Sequence, residues 1–310
     1  MRTIVALFFS VMLYNLSKGL RPTHFRRNLK LFMSVSVDII PHKSFIEDTA
    51  KVNAPPRLAT LLQLLHMNGE EIVNPSERNK QNLNPFLIPL SKDKSGSMTC
   101  YIRWPTQKDS LDLQIVRTTE TGVALRALST DHLLRRIAAE MDFFSTPKAE
   151  EAIKLLTDSG LQYAQGDYLP LLKSGKFEIG SKEELQLVLD RYLLTKVGAF
   201  PDCFERLATN FKSKGDEVSA LITCERAVSI FYGWGHPMTF HSNMLHSMSD
   251  RQKEASDVAK AALGMPLWTL AGSLSELETI TQRAGFSGVI NLFFSVSSIS
   301  MHSDSCCRCS

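Results

Sequence analysis

His236, His241 and His246 come nearest, by type and spacing, to a metal site. Zinc held on one helix wants two histidines four apart with an acid close by. Steps of five turn a helix by about 500°, so these three diverge around it and share no face. Ordinary polar surface is the stronger reading, and no metal is expected there. His302, Cys306, Cys307 and Cys309 also have ligand types that suit zinc. Their spacing is cramped and the surrounding sequence is serine-rich, so an incidental tail is the expectation. Paired acids occur at Glu70-Glu71, Glu150-Glu151 and Glu183-Glu184. The last two pairs fall in the first turns of candidate helices, where the macrodipole favours negative charge, and that accounts for them without catalysis. There is no glycine-rich phosphate loop and no Gly-x-Ser-x-Gly elbow, and Ser, His and Asp are scattered without motif spacing. The residues therefore show no catalytic, metal or cofactor motif, which makes an enzyme less expected without excluding one. An enzyme with a site between sheet and helices is the weaker alternative.

The most unusual stretch is Phe231-Tyr232-Gly233-Trp234-Gly235-His236-Pro237. Two glycines and a proline end a helix in a tight turn, and three aromatics gather on it. Aromatics anchored at a turn can form a hot spot for a partner. They can equally plug the core between two helices, and core packing is the stronger of the two readings. Trp104, in Arg103-Trp104-Pro105, is read the same way, as a strand end first and a contact second. Phe231, Tyr232, Trp234, His236 and Trp104 are thus the candidate partner-binding residues.

The elements that position them follow from periodicity. Met98, Cys100, Ile102 and Trp104 alternate with more polar neighbours, as in a half-buried strand. Leu111, Leu113 and Ile115 alternate likewise, as do Val123, Leu125 and Ala127. Short turns between them predict a small antiparallel meander over 86–128, its polar face open or covered by helices. From Thr130 the period becomes 3.6. Thr146-Pro147 reads as a cap with proline at the first helical position, closed by Gly160. Ser181…Glu184, Ser249…Gln252 and Ser273…Glu276 read as capping boxes, with Gly264 and Gly285 as the last two stops. Pro201 opens a helix ending near Gly215, and another runs from Asp216 to Tyr232. No fixed-length repeat recurs, so an irregular all-helical bundle over 130–286 is expected. The fold class is α+β, the meander preceding the bundle. Residues 41–85, punctuated by five prolines, read as a connector with one short helix from Arg57 to Met67.

Residues 1–40 read as a targeting segment. Positions 1–37 hold six basic residues and no Asp or Glu, while the whole chain carries a formal charge of +3. The rest of the chain is therefore net negative, which argues against a nucleic-acid partner. An acid-free, Arg- and Ser-containing leader has the composition of an organellar transit peptide, with a secretory signal or anchor as the alternative. Its apolar run, Ile4 to Leu13, falls short of the roughly 20 residues a spanning helix needs, and stable membrane insertion is not expected. Cys100, Cys203 and Cys224 sit singly in apolar-patterned elements and are expected to be buried thiols. Serine fills eight of positions 287–310, which are expected to form a poorly ordered tail and not the domain's natural terminus.

Four strings carry a resemblance: NLNPFLIPL at 82–90, YIRWP at 101–105, GLQYAQGDYLPLL at 160–172 and SIFYGWGHPMTFH at 229–241. In these the chain resembles a plant plastid family of chloroplast ATP synthase assembly factors, over roughly residues 55–286. The resemblance implies a non-enzymatic assembly chaperone of the chloroplast stroma. Its protein partner would be the ATP synthase γ subunit, which it would help join the soluble catalytic head after chaperonin has folded that subunit. Chaperonin is then a further candidate partner. No catalytic residues and no cofactor come with the family. A generic helical scaffold in another plastid complex is the alternative.

Overall fold

A computed structural model describes residues 38–76, 83–105, 112–173, 182–270 and 272–286. The leader, Leu111, Ser181 and the serine-rich tail with His302 and its three cysteines lie outside the described residues.

The alternating segments form one antiparallel sheet in the order β1-β2-β3-β4-β5. Its strands are β1 (Glu71–Ile72), β2 (Leu87–Lys92), β3 (Met98–Ile102), β4 (Gln114–Thr118) and β5 (Val123–Ala127). The meander is thus found, extended by the short edge strand β1 and by β2. The strand expected over 111–115 sits later, at Gln114–Thr118, with Leu113 and Ile115 buried. Registers are Leu87↔Ile102 across β2/β3 and Cys100↔Val116 across β3/β4, with an irregularity between Pro89 and Ser91. Proline lacks the N–H that a regular ladder needs, which suits it to such a break.

The period-2 pattern left the sheet's polar face open or covered by helices, and in the structure both faces are covered. Ile88, Leu90, Tyr101, Ile115 and Ala127 belong to one core cluster with helices α2 (Leu58–Met67) and α3 (Thr130–Phe143). Leu87, Cys100, Ile102, Val116 and Val123 face the other way, into a second cluster with Phe204, Ala227, Phe231 and Trp234. The residues read as polar on β3 are Thr99 and Tyr101, 2% and 0% exposed. The Tyr101 hydroxyl is satisfied 2.8 Å from Thr130 Oγ1, so it can be buried without an orphaned polar atom. On α2, Leu58, Leu61, Leu62 and Leu65, at helical spacing, are buried, and Thr60 and Leu64 are buried too. Helix α2 therefore lies inside the core.

Glu70, just before β1, is 8% exposed. Its Oε2 accepts from Ser91 Oγ at 2.5 Å and from Thr99 Oγ1 at 2.9 Å, and its Oε1 from Arg126 Nη1 at 3.0 Å. A buried carboxylate is tolerable only when paired and hydrogen-bonded, and these three strands supply both needs.

Helix α1 (Ile40–Ser44) precedes α2. The others are α4 (Ala149–Asp158), α5 (Leu169–Lys173), α6 (Lys182–Tyr192), α7 (Pro201–Ser213), α8 (Glu217–Ile230), α9 (His236–His246), α10 (Gln252–Leu263) and α11 (Leu274–Arg283). Capping signals hold in part. Ser273 Oγ accepts from Glu276 N–H at 3.4 Å, and the Glu276 carboxylate accepts at 2.7 Å from Gly272 N–H, one residue before the position a capping box uses. Pro201 opens α7, and the glycines at 160, 215 and 285 stop their helices at positive φ. Glu150, Glu151, Glu183 and Glu184 do lie in first turns. Two caps fail. Helix α4 begins two residues after Pro147, with Lys148 at its cap position and no side-chain cap, while the Thr146 hydroxyl donates to the Met141 carbonyl of α3. Helix α10 begins at Gln252, because that amide is spent on the His246 and Met248 carbonyls at the end of α9. Among the described residues no helix is long and apolar enough to cross a membrane.

Candidate functional site

Residue order separates Trp104, Trp234 and Trp268 by up to 164 positions, yet these three tryptophans, all that the chain has, form one cluster. Trp104 leaves the end of β3. Trp234 lies in the turn between α8 and α9, where Gly233 takes φ +88°, a left-handed conformation that favours glycine. Trp268 rides on a short 3₁₀ turn, Leu267–Thr269. Trp104 meets Trp268 at 5.0 Å between ring centroids and Trp234 at 5.5 Å edge-on, and Trp234 meets Trp268 at 6.4 Å. Such offset and edge-to-face geometry adds about 0.5–1.5 kcal/mol per pair beyond area burial. The indole N–H groups of Trp104 and Trp234 both donate to Gln114 Oε1, at 3.0 and 3.2 Å. One β4 side chain thus satisfies two indole N–H groups.

Two glycines let the 3₁₀ turn approach. A Cβ on Gly122, in the β4–β5 turn, would collide with the Trp268 carbonyl. A Cβ on Gly235 would collide with the Leu270 side chain and lie 3.2 Å from Thr269 Oγ1. Gly235 N–H also donates to that hydroxyl at 3.1 Å.

The candidate residues divide. Phe231 and Trp234 are 1% and 2% exposed, and Phe231 packs edge-on against Phe204 at 5.9 Å. They are core. Trp104 is half-buried. Tyr232 is 85% exposed and makes no such plug. His236 is half-buried, its Nε2 3.0 Å from Glu205 Oε1 and its Nδ1 3.3 Å from the Leu270 carbonyl. The reading from residues missed Trp268, Gln114 and their flanks, exposed Phe86 and Leu267, because nothing local to 86, 114 or 268 signals a shared position. Phe86 stands 6.5 Å from the Trp268 ring. Around the buried Trp234 and the half-buried Trp104 and Trp268, exposed apolar side chains occur at Phe86, beside the Trp268 ring, and at Leu267 and Tyr232, next to the cluster in the chain.

Elsewhere the titratable groups are explained by structure. An open groove of about 770 Å³ between α6 and α7 is lined by Leu187, Asp202, Arg206 and Phe240 among others. Its carboxylates are already engaged. Asp202 receives both Nη groups of Arg136, at 2.7 and 2.6 Å, and Arg206 Nη2 at 2.9 Å. Burial alone would raise the Asp202 carboxyl, but the hydrogen bonds and charge of Arg136, then Arg206, outweigh it and hold it at about 2. Asp190, 0% exposed, takes a two-pronged bond from Arg206, 2.7 Å on each prong. These pairs tie α3, α6 and α7 together. Cys100, Cys203 and Cys224 are buried as expected, and burial pushes the Cys203 and Cys224 thiols up, the latter to about 12, far from thiolate chemistry. Among the described residues no group of three or more His, Cys, Asp or Glu is placed to hold a metal.

A family model described as PAB N-terminal matches residues 40–196, and one described as PAB middle domain matches residues 201–287. The chain is 38% identical over 244 residues to an Arabidopsis thaliana protein named "Protein IN CHLOROPLAST ATPASE BIOGENESIS, chloroplastic", an alignment covering 78% of this chain and 68% of that one. No solved structure matches. The break between the two matched segments falls just before α7, and the tryptophan cluster crosses it. Trp104 comes from the first segment, Trp234 and Trp268 from the second. With both segments present in order across the described body, the chain belongs to the PAB family.

Proposed function

We propose that this protein is a non-enzymatic assembly factor for the chloroplast ATP synthase, working in the stroma. Its client is the γ subunit, which it holds for joining to the soluble catalytic head. The name of the Arabidopsis relative supports the biogenesis role. The observation that carries the reading to a surface is the tryptophan cluster with its exposed margin. Rigid, well-packed aromatics ringed by accessible apolar side chains are what a contact hot spot requires. Tyr232 at 85% and Leu267 at 53% exposure are large side chains left in solvent, Tyr232 two positions before Trp234 and Leu267 next to Trp268 in the chain, and exposed apolar side chains beside such a cluster favour a contact site. An apolar face of a client helix fits such a margin.

The test is a pull-down from intact plastids with the tagged full chain. ATP synthase subunits, γ among them, are expected in the eluate of the wild type. Tyr232→Ala with Leu267→Ala should lose them while the circular dichroism spectrum and melting curve stay unchanged. Recovery of another complex in place of ATP synthase subunits would overturn the assignment. Full retention by the double variant would move the contact elsewhere.

A further inference from the structure

His236 sits between two hydrogen-bond acceptors. Its Nε2 faces Glu205 Oε1 of α7 at 3.0 Å, and its Nδ1 faces the Leu270 carbonyl oxygen at 3.3 Å. A neutral imidazole has one N–H and one lone pair, so it can serve only one of them. The ring satisfies both only as the imidazolium. When neutral it must turn a lone pair toward either a carboxylate or a carbonyl oxygen, and one contact becomes repulsive. Two contacts that hold the 3₁₀ turn against the start of α9 arise at this corner, His236 to Leu270 and Gly235 N–H to Thr269 Oγ1. The turn they hold carries Trp268.

We propose that His236 is a proton-operated clasp that sets how tightly Trp268 is held in the tryptophan cluster. The groups that face the ring are few. Glu205 comes from α7, and Glu276, whose charge reaches the ring, comes from α11. Cys224 of α8 lines the same small cavity as Glu205 and Pro237 and stays a neutral thiol. Glu254 of α10 acts on His241, farther along α9. Burial by itself lowers the His236 ring, but the hydrogen bond and charge of Glu205 outweigh it, and the balance lies above the usual value of 6.5. The sign follows. Below about 6.5 the ring is charged in both folded and unfolded chains and the clasp contributes fully. As pH rises through the raised folded value the proton leaves, one bond is lost and the turn loosens. His241 is lowered by burial, so it changes charge at lower pH and does not mask this step. That this would tune a client contact rests on the proposed function. The clasp itself does not.

Because every tryptophan of the chain is in the cluster, its intrinsic emission reads the clasp directly. The full chain, titrated from pH 5.5 to 9, should show a one-proton transition with a midpoint above 6.5. Trp268→Phe should reduce its amplitude. His236→Gln, which cannot titrate, should abolish it. Glu205→Gln, which keeps an acceptor but removes the charge, should move the midpoint down, and serves also if the His236 variant does not fold. A flat wild-type profile, or a midpoint unchanged in Glu205→Gln, overturns the clasp. Failure to capture ATP synthase subunits at any pH, with the transition intact, would sink the proposed function and leave the clasp standing.

Discussion

Replacing Trp234 with alanine should unfold much of what Tyr232→Ala leaves untouched, although the two residues are two positions apart in an aromatic turn. Trp234 is 2% exposed and lies against Trp104, Trp268 and the second core cluster. Truncating a buried tryptophan costs about 3–5 kcal/mol, transfer and cavity together. The lost indole N–H adds little, since Gln114 Oε1 still accepts from Trp104. Against a total stability of roughly 5–15 kcal/mol that is a large fraction. With a urea dependence of about 3 kcal/mol per molar, the midpoint should fall by about 1–2 M. Tyr232, 85% exposed, should stay within about 0.5 kcal/mol of the wild type. Urea melts followed by far-ultraviolet circular dichroism decide it. Equal midpoints for the two variants, or a Trp234→Ala loss under 1 kcal/mol, would refute the placement of Trp234 in the core. The same numbers show why a partner lost by Trp234→Ala would not locate the contact: the variant is strongly destabilised as well.

Gly122→Ala should displace the 3₁₀ turn, because the new methyl meets the backbone carbonyl of Trp268, which has no rotamer by which to yield. A loss of about 1–3 kcal/mol with altered tryptophan emission is expected, and unchanged emission would contradict it. Arg206→Met strips the buried Asp190 of its cation and should cost about 3–5 kcal/mol in a urea melt. Adding Asp190→Leu should recover part of that loss. Asp202 contributes stability above its unfolded value of 3.8, and this is lost as pH falls toward about 2, where the folded carboxyl takes its proton. Stability measured between pH 4 and 2 should therefore fall less steeply in Asp202→Asn than in the wild type.

What could be read from residues was local. The change from period 2 to period 3.6 near Thr130 marks where sheet gives way to bundle, because side-chain direction repeats with backbone geometry. Ser273 caps its helix, Pro201 opens its own, and Gly160, Gly215 and Gly285 follow theirs as read, while Glu276 reaches back one residue farther than a capping box would. Each answers a need of the chain within four residues of itself. Where a cap failed, a distant or neighbouring group had a stronger use for it, as Gln252 shows in closing α9 and not opening α10. Tertiary structure decided the rest. Thr99 and Tyr101 look like an outward face until α2 and α3 cover it, and Glu70 looks like a surface acid until Ser91, Thr99 and Arg126 surround it. Trp268 carries no local mark that it meets Trp104, since that contact depends on how a 3₁₀ turn, a helical turn and a strand end pack together. The aromatic turn at 231–237 was legible as unusual. Which of its residues would be buried and which left exposed was settled only by packing, because neighbours in a tight turn point in different directions and only the surrounding elements determine which direction is inside.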